Sequence, residues 1–277
     1  MSEIFEALQQ SNVIKSKTGL PILDMLAPSL PEVPEVGEAP SLDDVVSSEV
    51  SSPPSAHLVA LTDERGLGAE KIRILASKLS QLQKRKPVKK LLISSSVKAE
   101  GKSLISSNLA LTLAKTQQRV LLIDGDCHQP RLSKLLGIRG AFGLSGWWQS
   151  KEPITRYLRK ANAFPLWFLA AGEPMEHSLE MLQSERFAEQ LNQLAGWFDW
   201  VIIDSPPLAP LADSSVWTSL ADALILIVRK GITPKKVLAN VLDGLDKPKL
   251  LGIVLNDIAD PHIRYYSHYY RSQAASS

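Results

Sequence analysis

Leu91-Leu92-Ile93-Ser94-Ser95-Ser96-Val97-Lys98-Ala99-Glu100-Gly101-Lys102-Ser103 is an apolar run that breaks into a small, polar loop ending in Gly-Lys-Ser. It reads as a strand that delivers the chain to a phosphate-binding loop. From Lys102 to Thr116 the apolar residues Ile105, Leu109 and Leu113 recur with the period of a helix. The helix therefore begins at the loop, where unpaired backbone N–H groups and the positive dipole end favour a polyphosphate. The spacing predicts a nucleotide contact over Ala99, Glu100, Gly101, Lys102, Ser103 and Leu104. In it Lys102 reaches the β- and γ-phosphates of ATP and the Ser103 hydroxyl ligates the bridging Mg²⁺. Gly101 allows close approach of backbone to phosphate. Ser96 stands where such loops usually place their first glycine, and it is small enough for the turn.

Outward from the loop, two further apolar runs end in acids. Val120-Leu121-Leu122-Ile123-Asp124-Gly125-Asp126 puts Asp124 and Asp126 on one side of an extended chain, where their mutual repulsion would be relieved by a divalent cation. Trp200-Val201-Ile202-Ile203-Asp204 shows no polar alternation, as expected of a parallel strand covered on both faces, and Asp204 takes the position of an acid that holds Mg²⁺. Strands at Leu166–Leu169, Ala223–Val228 and Leu250–Leu255 are expected, with helices over Ala69–Leu82, from Arg131 and from Ser184 to about Trp197, and another opening at Thr233-Pro234. The pattern predicts a doubly wound α/β fold with a mainly parallel sheet and helices on both faces. In such folds strand ends gather on one edge where ligands bind, and Ser103, Asp124, Asp126 and Asp204 map to it. Asn256, at the end of the last strand, either reads an adenine edge or simply forms a turn.

A chain of 277 residues, 44% hydrophobic, can build a sizeable core, and a net charge of +2 with one short basic cluster at Lys84–Lys90 argues against a nucleic-acid partner. Cys127 is the sole cysteine, which excludes an internal disulfide and suggests a reducing compartment. No apolar run approaches the roughly 20 residues of a membrane helix, and Glu3 and Glu6 interrupt any signal-peptide pattern, so a cytoplasmic protein is expected. Residues 1–27 hold a short amphipathic docking segment with Ile4, Phe5 and Leu8 on one face. Residues 28–56 form an acidic, Pro-rich linker, with no Lys or Arg between Lys17 and Arg65, and a globular domain spans 57–260. Residues 261–277 carry four of the five tyrosines: Tyr265, Tyr266, Tyr269 and Tyr270. These rings either pack on a neighbour or reach a second molecule's active site.

The loop with Glu-Gly-Lys-Ser, Leu121-Leu122-Ile123-Asp124-Gly125-Asp126, Val201-Ile202-Ile203-Asp204-Ser205-Pro206-Pro207 and the tyrosine cluster together resemble the bacterial tyrosine autokinases of polysaccharide export, within the deviant-Walker P-loop ATPases. The resemblance spans roughly residues 66 to 270. It implies that ATP with Mg²⁺ phosphorylates tail tyrosines of a neighbouring subunit in a ring. Lys102, Asp124 and Asp126 are then catalytic, and Ser103, Asp124 and Asp204 hold the metal. It further implies a membrane chain-length regulator that recruits the kinase to the inner membrane, and a phosphotyrosine phosphatase that opposes it. Two departures stand out. His128 and Gln129 occupy positions where the family often has two arginines, and Ala76 follows Glu70 and Arg73 where a subunit-contact motif has a second arginine. An ATPase that positions other proteins by nucleotide-dependent dimerisation, or a nucleotide-binding adaptor with weak catalysis, are the competing readings.

Overall fold

The computed structural model describes residues 42, 45–50, 57–138, 142–209 and 212–257. The expected N-terminal helix and all four tail tyrosines lie outside these residues. Among the described residues eight strands form one sheet: β1 (Ser47–Ser48), β2 (Lys90–Ser95), β3 (Val120–Asp124), β4 (Leu158–Ala161), β5 (Leu166–Leu169), β6 (Trp200–Asp204), β7 (Ala223–Arg229) and β8 (Leu250–Asn256). Their spatial order is β1-β4-β5-β3-β6-β2-β7-β8, and every pairing except the antiparallel β4–β5 is parallel.

Successive residues of a strand point to opposite faces, and here both faces are covered. Leu91, Ile93, Val120, Leu122 and Ile202 enter one core, while Leu92, Leu121, Ile123, Val201 and Ile203 enter the other. That is why these strands are apolar without alternation. The first core is closed by α1 (Val59–Thr62), α2 (Leu67–Gln83) and α3 (Lys102–Lys115). Because α3 lies between the sheet and α2, it is buried almost all round, more than its one-sided apolar stripe implies. Two of its buried polar residues are paired: Asn108 accepts from the Ala60 N–H at 3.0 Å, and the Thr112 hydroxyl donates to the Asn108 carbonyl at 2.8 Å. Leu132 and Leu136 of α4 (Leu132–Leu136) join the first core, while the other face carries α5 (Leu144–Gln149), α6 (Ser178–Gln183), α7 (Glu185–Trp197), α8 (Ala212–Leu220) and α9 (Lys235–Gly244). Trp147 packs against Phe187, in keeping with a packing role for that tryptophan.

The structure departs from the sequence expectation in three places. The stretch expected to be linker contributes β1, which pairs in parallel with β4, and Val45 beside it is buried in the core. Residues 142–164, for which the sequence pattern predicted no element, fold into α5, a 3₁₀ turn (Ile154–Tyr157) and β4. Helix α6 is only six residues long and α8 is rich in Ser, Thr and Asp, so periodicity gave no sign of them.

Candidate active site

The phosphate loop joins β2 to α3, and its base is stitched to the chain that follows β6. Ser94 Oγ donates to the Pro206 carbonyl at 2.8 Å, and the Ser205 and Leu208 N–H groups donate to the carbonyls of Ile93 and Ser95. This is what the Ser205-Pro206-Pro207 turn does: it carries the chain away from Asp204 along the edge of the loop. Ala99 and Gly101 both adopt positive φ, +64° and +96°, and Gly101 precedes the first turn of α3 with no side chain capping it. The first N–H groups of α3 are therefore available to an anion. Ser96, at the position of the missing first glycine, is fully buried and its hydroxyl has no partner among the described residues.

Asp124 and Asp204 sit opposite each other in the β3–β6 register, both almost entirely buried. Asp124 accepts the N–H groups of Arg131 at 3.1 Å and Leu132 at 3.0 Å, and so caps α4, while its other oxygen accepts from Asp126 N–H at 3.3 Å. Burial and then the neighbouring Asp204 push the Asp124 pKa up to about 7. Burial raises Asp204 to about 6, against the pull of the Lys102 ammonium and the Ser103 hydroxyl. One oxygen of Asp204, Oδ1, is buried without a hydrogen-bond partner among the described residues. Between the two acids the chain has no room for a side chain at Gly125. A Cβ there would lie 2.9 Å from the Trp217 ring and 3.0 Å from the Asp204 carbonyl, and the Trp217 indole donates to the Gly125 carbonyl at 3.1 Å.

A cavity of about 650 Å³ opens over this edge, lined among others by Lys102, Ser103, Leu104, Asp126, Gln129 and Arg131. The strand-end acids, the loop lysine and the loop serine thus come together. Ala99 and Gly101 line the same cavity, but Glu100 does not; its side chain is buried on the far side of the loop. Asn256 also turns to the loop, donating through Nδ2 to the Glu100 carbonyl at 2.9 Å. Sequence reasoning passed over Lys98, Arg131 and Lys134, which add cations to the cavity rim; the basic residues three apart at the start of α4, Arg131 just before it and Lys134 within it, were the available signal. His128 does not line the cavity; its exposed ring engages Asp213, with Nε2 3.0 Å from Asp213 Oδ2, and the Ser178 hydroxyl donates to the same oxygen at 2.6 Å. Ala76 is buried in the core, so the position where the resemblance expects an arginine does not face solvent.

The family model for ParA, described as NUBPL iron-transfer P-loop NTPase, matches residues 87–242. The chain belongs to the ParA P-loop NTPase family. The matched stretch of this NTPase runs from just before β2 into α9 and contains every strand-end acid of the site. Family membership makes the loop a nucleotide-binding element. Among curated relatives, the tyrosine-protein kinase YwqD of Bacillus subtilis (strain 168) is 28% identical over 202 residues, covering 72% of this chain and 85% of that one. The succinoglycan biosynthesis transport protein ExoP of Rhizobium meliloti (strain 1021) is 30% identical over 182 residues, 64% of this NTPase and 23% of the longer relative. Among solved structures, the BceF tyrosine kinase domain is 26% identical, with a TM-score of 0.62 over 72% of this chain and 81% of that domain. The resemblance drawn from the motifs is thus met by relatives that carry the name tyrosine kinase.

Proposed function

We propose that this NTPase is an ATP-dependent protein tyrosine kinase that phosphorylates Tyr265, Tyr266, Tyr269 and Tyr270 of a neighbouring subunit, and through that regulates polysaccharide polymerisation and export. The observation that carries the reading is the juxtaposition, at one sheet edge, of an uncapped phosphate loop with a buried carboxylate oxygen of Asp204 that lacks a partner. Mg²⁺ fits these residues. The donor set of Ser103, Asp124 and Asp204 is all oxygen, and an ion there would offset two carboxylates whose ionisation burial disfavours. Among the described residues no group of three or more His, Cys, Asp or Glu could hold a metal alone. Phosphate oxygens must then complete the shell, the usual arrangement for Mg²⁺ in phosphoryl transfer. When bound, the ion neutralises charge on the β- and γ-phosphates.

The chain's own residues supply the rest. Lys102 places its ammonium against the transferring group, and the N-terminus of α3 holds the phosphates. A tyrosine hydroxyl has a pKa near 10, so its proton must leave as the new phosphorus–oxygen bond forms and the bond to the β-phosphate oxygen breaks, releasing ADP. Asp126 suits the acceptor role better than Asp124. It lines the cavity, whereas both oxygens of Asp124 are already committed to backbone N–H groups. By its resemblance the protein works as a homo-oligomer, recruited to the inner membrane by a chain-length regulator and reversed by a phosphotyrosine phosphatase. Among the described residues no helix is long and apolar enough to cross a membrane, which suits recruitment through a partner.

The burial of Ala76 and the pairing of His128 with Asp213 favour a second reading, an adaptor that binds nucleotide with little catalysis. Incubating the purified protein with Mg-ATP and the regulator's cytoplasmic segment, then probing for phosphotyrosine, separates the two. Tyrosine labelling that is lost in Lys102→Ala is expected. Nucleotide binding with no labelling selects the adaptor.

A further inference from the structure

A glutamate beside Gly-Lys-Ser poses a physical problem, since a carboxylate facing a bound polyphosphate would repel it. The fold turns Glu100 the other way. Its side chain is fully buried, and Oε2 accepts the N–H of Val97 at 2.7 Å, three residues back, closing the loop on itself. Oε1 accepts the Thr233 hydroxyl, from the turn between β7 and α9, and, at 3.3 Å, the N–H of Arg229, the last residue of β7. The loop backbone is held from the same side: the Glu100 carbonyl accepts from Asn256 Nδ2 at 2.9 Å, and the Ala99 carbonyl accepts from Arg229 at 3.2 Å. Arg229 in turn pairs with Asp257 at 2.8 Å, just past the end of β8. Gly101 fits this arrangement because Asn256 Nδ2 occupies the space a Cβ would take.

We propose that Glu100 is a positioning residue of the nucleotide site, whose buried carboxylate, with Thr233 and Asn256, clamps the phosphate loop to the ends of β7 and β8. The proposal rests on the loop binding nucleotide, as the proposed function requires. The acceptors of the clamp fix the peptide planes of Val97 to Gly101 in the orientation that leaves the following N–H groups and Lys102 facing the cavity. Ala99 and Gly101 hold left-handed backbone within this span, a conformation that needs surrounding contacts to persist. A loop released from the clamp relaxes out of it and must be reordered by each nucleotide that binds, so the loss appears as affinity.

The test is direct titration of Mg-ADP and Mg-ATP by calorimetry, well below the thermal midpoint of each variant. Glu100→Ala is expected to weaken binding about tenfold or more, and Glu100→Gln, which retains one acceptor oxygen and can donate to Thr233, to recover most of that loss. Thr233→Val should give an intermediate loss, and Glu100→Ala with Thr233→Val no more than Glu100→Ala alone, because both act through one contact set. A purely structural role would lower the midpoint without this affinity pattern or its rescue. A folded Glu100→Ala protein that binds as wild type overturns the proposal. If Glu100→Ala fails to fold, unchanged affinity in both Thr233→Val and Asn256→Ala overturns it. Failure of the wild-type protein to bind either nucleotide would instead sink the phosphate-loop assignment, and the clamp with it.

Discussion

At the scale of single residues the site is built from charges placed where the apo protein least favours them. Asp124 and Asp204 have pKa values of about 7 and about 6 against an ordinary 3.8, so the folded chain holds more protons than the unfolded one from about pH 4 to about pH 7. Raised carboxylate values mean that the stability lent by the neutral forms is lost as pH rises through that window. Asp204→Asn removes one of the two charges and should stabilise the metal-free protein at pH 7.5 by roughly 1–3 kcal/mol while abolishing turnover. The gap to wild type should shrink towards pH 5, as read by denaturant titration in EDTA. A gap independent of pH would show that the buried charge is not its cause. Lys102→Ala removes a charge-assisted contact of roughly 1.5–3 kcal/mol, so ATP affinity should fall about tenfold to a hundredfold, measured by titration. These acids were legible in the sequence because each closes an apolar run. The direction of the Glu100 and Asn256 side chains was not, since which side of a loop a residue faces depends on strands β7 and β8, more than a hundred positions away in sequence.

At the scale of elements, periodicity sufficed wherever one element was long and faced one environment. Strands β2, β3, β6 and β7 were readable as unbroken apolar runs, and α7 as a capped amphipathic helix. Ser184 indeed accepts the Phe187 N–H at 3.1 Å, and Ser184→Ala should cost about 1 kcal/mol of stability, seen as a lower denaturation midpoint with unchanged nucleotide affinity. Helices α6 and α8 escaped notice for the opposite reason. They are short and held by tertiary packing, such as that of Trp217 beneath Gly125, rather than by a stripe of their own. Gly125→Ala tests that packing. With backbone and an indole ring both within about 3 Å, it should destabilise by roughly 1–3 kcal/mol and displace Asp124 and Asp126, lowering turnover as well as the midpoint.

At the scale of the whole molecule, the sheet order brings the ends of β2, β3 and β6 side by side and so assembles one site from three separate motifs. The sheet also reaches further towards the N-terminus than composition suggested, because two residues of strand and one buried valine leave little mark in a Ser- and Glu-rich stretch. Removing residues 1–41 should leave the midpoint unchanged, whereas removing 1–56 should cost about 1–3 kcal/mol through loss of β1 and the burial of Val45, compared by thermal unfolding. Transfer between subunits is the claim on which the account turns, and a mixing experiment tests it most directly. A Lys102→Ala chain that keeps its tyrosines is incubated, with Mg-ATP and the regulator segment, beside a chain with an intact loop whose Tyr265, Tyr266, Tyr269 and Tyr270 are all Phe, and each is read by mass. The account predicts phosphotyrosine on the Lys102→Ala chain. Phosphotyrosine confined to wild-type chains, with none on either variant in the mixture, would contradict it.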